Sequence, residues 1–221
     1  MFRIMKPRVG ISACLLGERL RYDGDHRRQA FVSSLGEHFQ WVPVCPEFEA
    51  GFGVPREKMR LEESSTRSAA EGGSGLRLVT ISSRQDVTGR LRSWMLPALE
   101  RLEAAGLSGF ILQSGSPSCG TTGVKVFDSR PGDSPDSDST ARWRPEGVGL
   151  FAQALRERFP HLPLAEETLL ADPRRQELFV HRVRAYAGGR IAQCGASNEE
   201  RRMKSAEYGA SSEERRMRSA E

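Results

Sequence analysis

Short apolar runs bounded by turn residues alternate along the chain with longer stretches of helical spacing. Arg8–Ala13 (RVGISA), Trp41–Val44 (WVPV) and Phe110–Gln113 (FILQ) are apolar runs of strand length and read as strands. Leu76–Ile81 (LRLVTI) alternates apolar and polar positions and pairs with Lys58–Glu62 as a hairpin. Asp25–Phe39 places Ala30, Phe31, Leu35 and Phe39 at helical spacing. Val87–Ala105 is the clearest helix: Val87, Leu91, Trp94, Met95, Leu99 and Leu102 line one face, Gly106 stops it, and Pro97 is expected to kink it. Gly147–Phe159 and Pro173–Ala187 are two more helices. This alternation predicts an α/β layered fold with a mainly parallel sheet.

The pattern lapses in three places. Glu62–Gly75 is polar and glycine-rich, and Ser129–Pro145 is full of Pro, Asp and Ser; both read as inserted loops. Gly188-Gly189 marks a break, so the expected organisation is one domain over 1–187 and a tail over 188–221. In the tail GASNEERRMKSAE (Gly195–Glu207) recurs as GASSEERRMRSAE (Gly209–Glu221). Two copies are too few for a solenoid. With equal numbers of acidic and basic residues and almost no large apolar ones, the repeat cannot bury a core face and reads as a low-complexity, disordered tail.

Composition narrows the function. The chain has 221 residues, enough for a core that needs no disulfide staples. No apolar run reaches the roughly 20 residues of a membrane span, and the N-terminus lacks the apolar core and cleavage site of a signal peptide. A cytoplasmic location is therefore expected. A net charge of +4 on 33 basic and 29 acidic residues is no duplex nucleic-acid stripe, but suits a small anionic ligand. Four cysteines are too sparse for a disulfide scaffold, so the thiols are expected to be free or metal-bound.

Three of those cysteines carry the chemical signal. Cys14, Cys45 and Cys119 each follow a strand run, in RVGISAC, WVPVC and FILQSGSPSC. Ligands of open parallel sheets bind outside the carboxyl ends of the strands, so the three thiols are placed to converge. Packing of small buried cysteines at strand ends is the competing reading. The polar neighbours tip the balance: CPE sets Glu47 two residues from Cys45, SPSCG surrounds Cys119 with hydroxyls and glycines whose backbone N–H groups can face an anion, and the YDG turn follows Cys14. Thiolates suit zinc, Cu(I) or an iron–sulfur cluster. Three ligands leave one coordination position open, as a catalytic centre requires. Cys194 belongs to the tail. His26 follows the YDG turn near the site, while His38, His161 and His181 sit in ordinary helical or loop surroundings. No CxxC pair or cysteine-nucleophile signature is present.

At these residues the chain resembles a known family. SACLLG (Ser12–Gly17), RYDG (Arg21–Gly24), PVCPE (Pro43–Glu47), VPRE (Val54–Glu57), DVT (Asp86–Thr88) and SPSCG (Ser116–Gly120), in this order, are similar to the bacterial thiouracil desulfidases over roughly Lys6 to Ala187. The resemblance implies a Rossmann-like domain and a 4Fe-4S cluster held by Cys14, Cys45 and Cys119, with the fourth iron free of protein ligands. It implies non-redox removal of sulfur from a thiolated pyrimidine, thiouracil or 4-thiouridine monophosphate, as sulfide. It assigns catalysis to Glu47, as base for a water, and to Ser116. It places Asp23 and His26 near the substrate. Ser118, with Gly120 and Thr121, is the candidate for holding a substrate phosphate. Where many relatives carry a lysine before SPSCG, this chain has Gln113 followed by Ser114-Gly115, a departure that alters the polarity of the pocket. The tail does not resemble the extra domain of longer relatives linked to thiolated tRNA, so tRNA is not the expected partner. A non-catalytic zinc or iron–sulfur module, an electron-transfer protein and an adaptor acting through the tail are the alternatives.

Overall fold

The computed structural model describes residues 6–63, 75–128 and 142–189. In chain order the elements are β1 (Arg8–Ser12), α1 (Ala30–Leu35), β2 (Gln40–Val44), α2 (Pro46–Glu49), β3 (Met59–Glu63), β4 (Leu76–Thr80), α3 (Thr88–Ala104), β5 (Gly109–Leu112), β6 (Val124–Phe127), β7 (Trp143–Gly147), α4 (Leu150–Arg158), β8 (Leu164–Glu166) and α5 (173–189). Short 3-10 turns follow β1 (Ala13–Leu16) and β8 (Leu169–Ala171).

The expected parallel sheet is present. Four strands lie in the order β2-β1-β5-β8, every neighbouring pair parallel. Its centre is covered on both faces, which is why β1 and β5 read as continuous apolar runs rather than alternating ones. Val9, Ile11 and Ile111 pack with Val32, Leu35, Phe179 and Val183 on one side. Phe110 and Leu112 pack with Leu91, Leu99, Phe151 and Leu155 on the other. Gly10 opposes Phe110 in the register, and a Cβ there would meet the Phe110 ring at 2.2 Å.

The second sheet, β4-β3-β6-β7, is mixed and was foreseen only as the β3–β4 hairpin. Its β7 occupies Trp143–Gly147, so the end of the expected loop Ser129–Pro145 is an edge strand, and the following helix starts at Leu150 rather than Gly147. Edge position tolerates Pro145 here and Pro43 in β2, because a proline N–H is not needed on the open side. Glu62, expected to open a polar loop, is instead fully buried in β3. Arg60 donates to its Oε1 at 2.8 Å and Arg84 to its Oε2 at 3.1 Å, which neutralises the carboxylate inside the layer.

Helix boundaries shifted where backbone groups found other partners. Of Asp25–Phe39 only α1 is α-helical. The preceding segment lies against the turn after β1, with Arg27 N–H donating to Cys14 O and Gln29 N–H to Leu15 O. The helix α3 continues through Pro97. Helix α5 extends through Gly188 and Gly189, so the glycine pair does not break it among the described residues. Cys194, the repeat and most of both inserted loops lie outside the described residues. Among the described residues no helix is long and apolar enough to cross a membrane.

Candidate functional site

The carboxyl ends of three of the parallel strands, β1, β2 and β5, face one cavity of about 480 Å³. Cys14 follows β1, Cys45 follows β2 at the N-cap of α2, and Cys119 sits in the loop after β5; all three line the cavity. Cys14 and Cys119 are buried and Cys45 is half-buried. Burial pushes the Cys14 thiol up to about 12, reinforced by the neighbouring Cys45. It also raises Cys45 and, further, Cys119, where Glu47 adds to the effect. Buried thiols that resist ionisation stay neutral unless a metal takes the proton's place. Among the described residues no three His, Cys, Asp or Glu side chains are placed to hold one common metal ion. The three cysteines line one cavity wall, and thiolates are the soft ligands that hold iron–sulfur clusters.

Glu47 stands on α2 at the cavity wall, held from two sides. Arg56 Nε donates to its Oε2 at 3.0 Å, joined by Nη2 of the same guanidinium. The Ser118 hydroxyl donates to Oε1 at 2.9 Å. Arg56, with 7% of its side chain exposed, spends its remaining donor on the carbonyls of Leu20 and Gly53 at 2.9 and 3.0 Å. The carboxylate is thus fixed in place: Oε2 is filled by the two Arg56 bonds, while Oε1, with one, keeps acceptor capacity.

The loop that carries Cys119 is tied down by side chains. Ser116 Oγ accepts the N–H groups of Ser118 (3.2 Å) and Cys119 (3.1 Å), which leaves its own hydroxyl proton for the cavity. Glu166 accepts the N–H groups of Thr121 (2.5 Å) and Thr122 (3.3 Å), and Glu167 accepts Ser114 N–H (2.6 Å) and its hydroxyl (2.7 Å). Gly149 packs directly behind: a Cβ there would lie 2.5 Å from the Ser118 carbonyl and 2.8 Å from Cys119 N.

Of the expected site residues, Cys14, Cys45, Cys119, Glu47 and Ser116 line one cavity. Ser118 does not: it is fully buried behind the carboxylate, with its hydroxyl committed to Glu47. The expected phosphate cradle is filled from within, because Ser116 and Glu166 take the N–H groups of Ser118, Cys119 and Thr121, and the Gly120 N–H goes to Ser116 O. Asp23 lies outside the cavity wall, where Arg21 chelates it and holds its carboxyl below the usual range. His26 is turned to its own loop, Nδ1 accepting Arg28 N–H at 3.2 Å. The cavity is lined instead by Arg21, Tyr22, Arg27 and Lys58, beside Arg56 and Gln113. Arg56 lies in VPRE and Arg21 in RYDG, so the motifs named their segments; which side chain turns inward needed the fold.

Residues 9–167 match the family described as 2-thiouracil desulfurase. The protein YbbK of Bacillus subtilis (strain 168) is 31% identical over 111 residues, 50% of this chain and 72% of its own length. A solved structure, the 4Fe-4S-dependent thiouracil desulfidase TudS, matches with a TM-score of 0.54 at 26% identity, over 75% of this chain and 94% of that one.

Proposed function

The chain belongs to the 2-thiouracil desulfurase family, and on that premise we propose that it is a 4Fe-4S-dependent desulfidase converting a thiolated pyrimidine and water into the oxo-pyrimidine and hydrogen sulfide. The observation that carries this reading is that three free thiols, two of them buried, and one fixed carboxylate line a single cavity. Cys14, Cys45 and Cys119 would hold the cluster. The bound cluster supplies a soft Lewis-acidic iron for the thiocarbonyl sulfur, which makes the adjacent carbon more open to attack.

The protein residues supply the rest. Glu47 takes a proton from the attacking water, a role worth about 10²–10⁴-fold. Arg56 and Ser118 hold the carboxylate so that the free lone pair of Oε1 is left for the water. The Ser116 hydroxyl donates to the developing oxygen or to the ring. The hydrolysis exchanges one C=S for one C=O, and no electrons enter or leave. Arg21, Arg27 and Lys58 give the wall a positive charge suited to a nucleotide as well as to the free base. A small thiolated pyrimidine is therefore the proposed partner, and residues 1–187 the proposed catalytic domain.

Protein purified without oxygen is expected to carry about four irons and four labile sulfides per chain, and to release uracil and sulfide in equal amounts from 2-thiouracil. A zinc-loaded or iron-free protein after anaerobic reconstitution would overturn the reading. Comparison with 4-thiouridine monophosphate then separates base from nucleotide.

A further inference from the structure

We infer that Gln113 selects the substrate by its ring protonation pattern: its amide oxygen accepts a ring N–H, so thiouracils are admitted and thiocytosines are not. The inference rests on the cluster reading above. The Cys14 thiol donates to Gln113 Oε1 at 3.3 Å, while Nε2 has no protein partner among the described residues and the side chain lines the cavity. A metal-bound cysteine is a thiolate and can only accept. The contact then needs a donor on the glutamine. Half a turn of the planar amide about its last bond exchanges nitrogen and oxygen without displacing the side chain.

The backbone of Gln113 is anchored: its N–H donates to Ser12 Oγ at 3.0 Å, and the next residue, Ser114, is clamped by Glu167. With Nε2 turned to Cys14, Oε1 faces the cavity. Of the carboxylates on the wall, Glu47 keeps its free lone pair for the attacking water and Glu57 is engaged by Ser83. Arg21, Arg27 and Lys58 are donors. The hydroxyls of Tyr22, Ser114 and Ser116 on the same wall can donate as well as accept and so do not discriminate, whereas Gln113 Oε1, with Nε2 held by Cys14, can only accept. A uracil-type ring offers N3–H to such an atom. A cytosine-type ring of the same shape offers a lone pair, which an acceptor repels.

The test uses holoprotein of measured iron content. Calorimetry compares uracil with cytosine, and turnover compares 2-thiouracil with 2-thiocytosine. The wild-type chain is expected to favour the uracil member of each pair by about tenfold or more, the cost of opposing two acceptors. In turnover the preference should lie in KM. In Gln113→Leu the preference should vanish while the iron content holds. The reduction potential of its cluster should also fall, because an N–H···S bond to a ligating thiolate is gone. If the leucine variant loads poorly, Gln113→Met gives the same readouts with a flexible chain of similar length. A wild-type protein without the preference, or a loaded leucine or methionine variant that retains it, overturns the assignment. A wild-type chain that takes up no iron brings down the desulfidase reading itself, and that is seen in the iron assay before any ligand is added.

Discussion

Ser118 reaches across 71 positions of sequence to donate its hydroxyl proton to Oε1 of Glu47 at 2.9 Å, linking the Cys119 loop to the helix whose N-cap is Cys45. One residue is fully buried and the other stands at the cavity wall. The bond therefore sets where the carboxylate points. Ser118→Ala is expected to keep its iron and lower kcat by about tenfold, the effect of one lost hydrogen bond to a charged group. Glu47→Gln should lower it by about 10²–10⁴, again with the cluster spectrum intact. Full turnover in the glutamine variant would remove Glu47 as the base.

Arg56 should matter first for folding. Its removal leaves Glu47 without its cation in a largely buried place, which costs about 3–5 kcal/mol when a buried pair is broken on one side. Arg56→Ala should thus melt well below the parent. Arg56→Lys restores the charge without the planar fork, so it should recover much of the thermal stability and little of the rate. Equal melting of the alanine variant and the parent would contradict the pairing.

Gly149 is a packing test of the same loop. Its φ of −60° is ordinary for any residue, so the obstacle to a side chain is the Ser118–Cys119 backbone at 2.5–2.8 Å. Gly149→Ala should displace that segment at a cost of roughly 1–3 kcal/mol and reduce the iron bound per chain. Undiminished iron content would show that the loop can retreat without moving Cys119.

The metal-free protein should lose stability in alkali. Cys14 rises from 9.0 to about 12 in the folded chain, so between those values the unfolded state releases a proton that the folded state retains. Stability conferred by the neutral buried thiol is complete below the unfolded value and falls as pH rises from about 9 toward 12. Melting temperatures of apoprotein and its Cys14→Ser variant across pH 8–11 should show a shallower alkaline decline in the variant. At neutral pH the apo thiols should alkylate slowly. Identical pH slopes would contradict the shift.

Much of this protein is determined locally. Arg8–Ser12 and Gly109–Leu112 are legible as strands because a strand covered on both faces needs a continuous apolar run, and Gln40–Val44 is legible from its short WVPV run at the sheet edge. Cys14, Cys45 and Cys119 are legible as a set because each follows such a run, and parallel strands bring their carboxyl ends to one side. What only the tertiary structure decided is what lies far apart in sequence or pairs with a charge. The second sheet gathers β3, β6 and β7 around a buried Glu62 that reads as a loop residue until Arg60 and Arg84 neutralise it. Ser118 looks like a ligand-binding hydroxyl until the fold sets Glu47 beside it. Thr121 offers a free N–H to an anion until β8 delivers Glu166. Local sequence sets what a residue can donate or accept; only the packed chain decides which partner takes it.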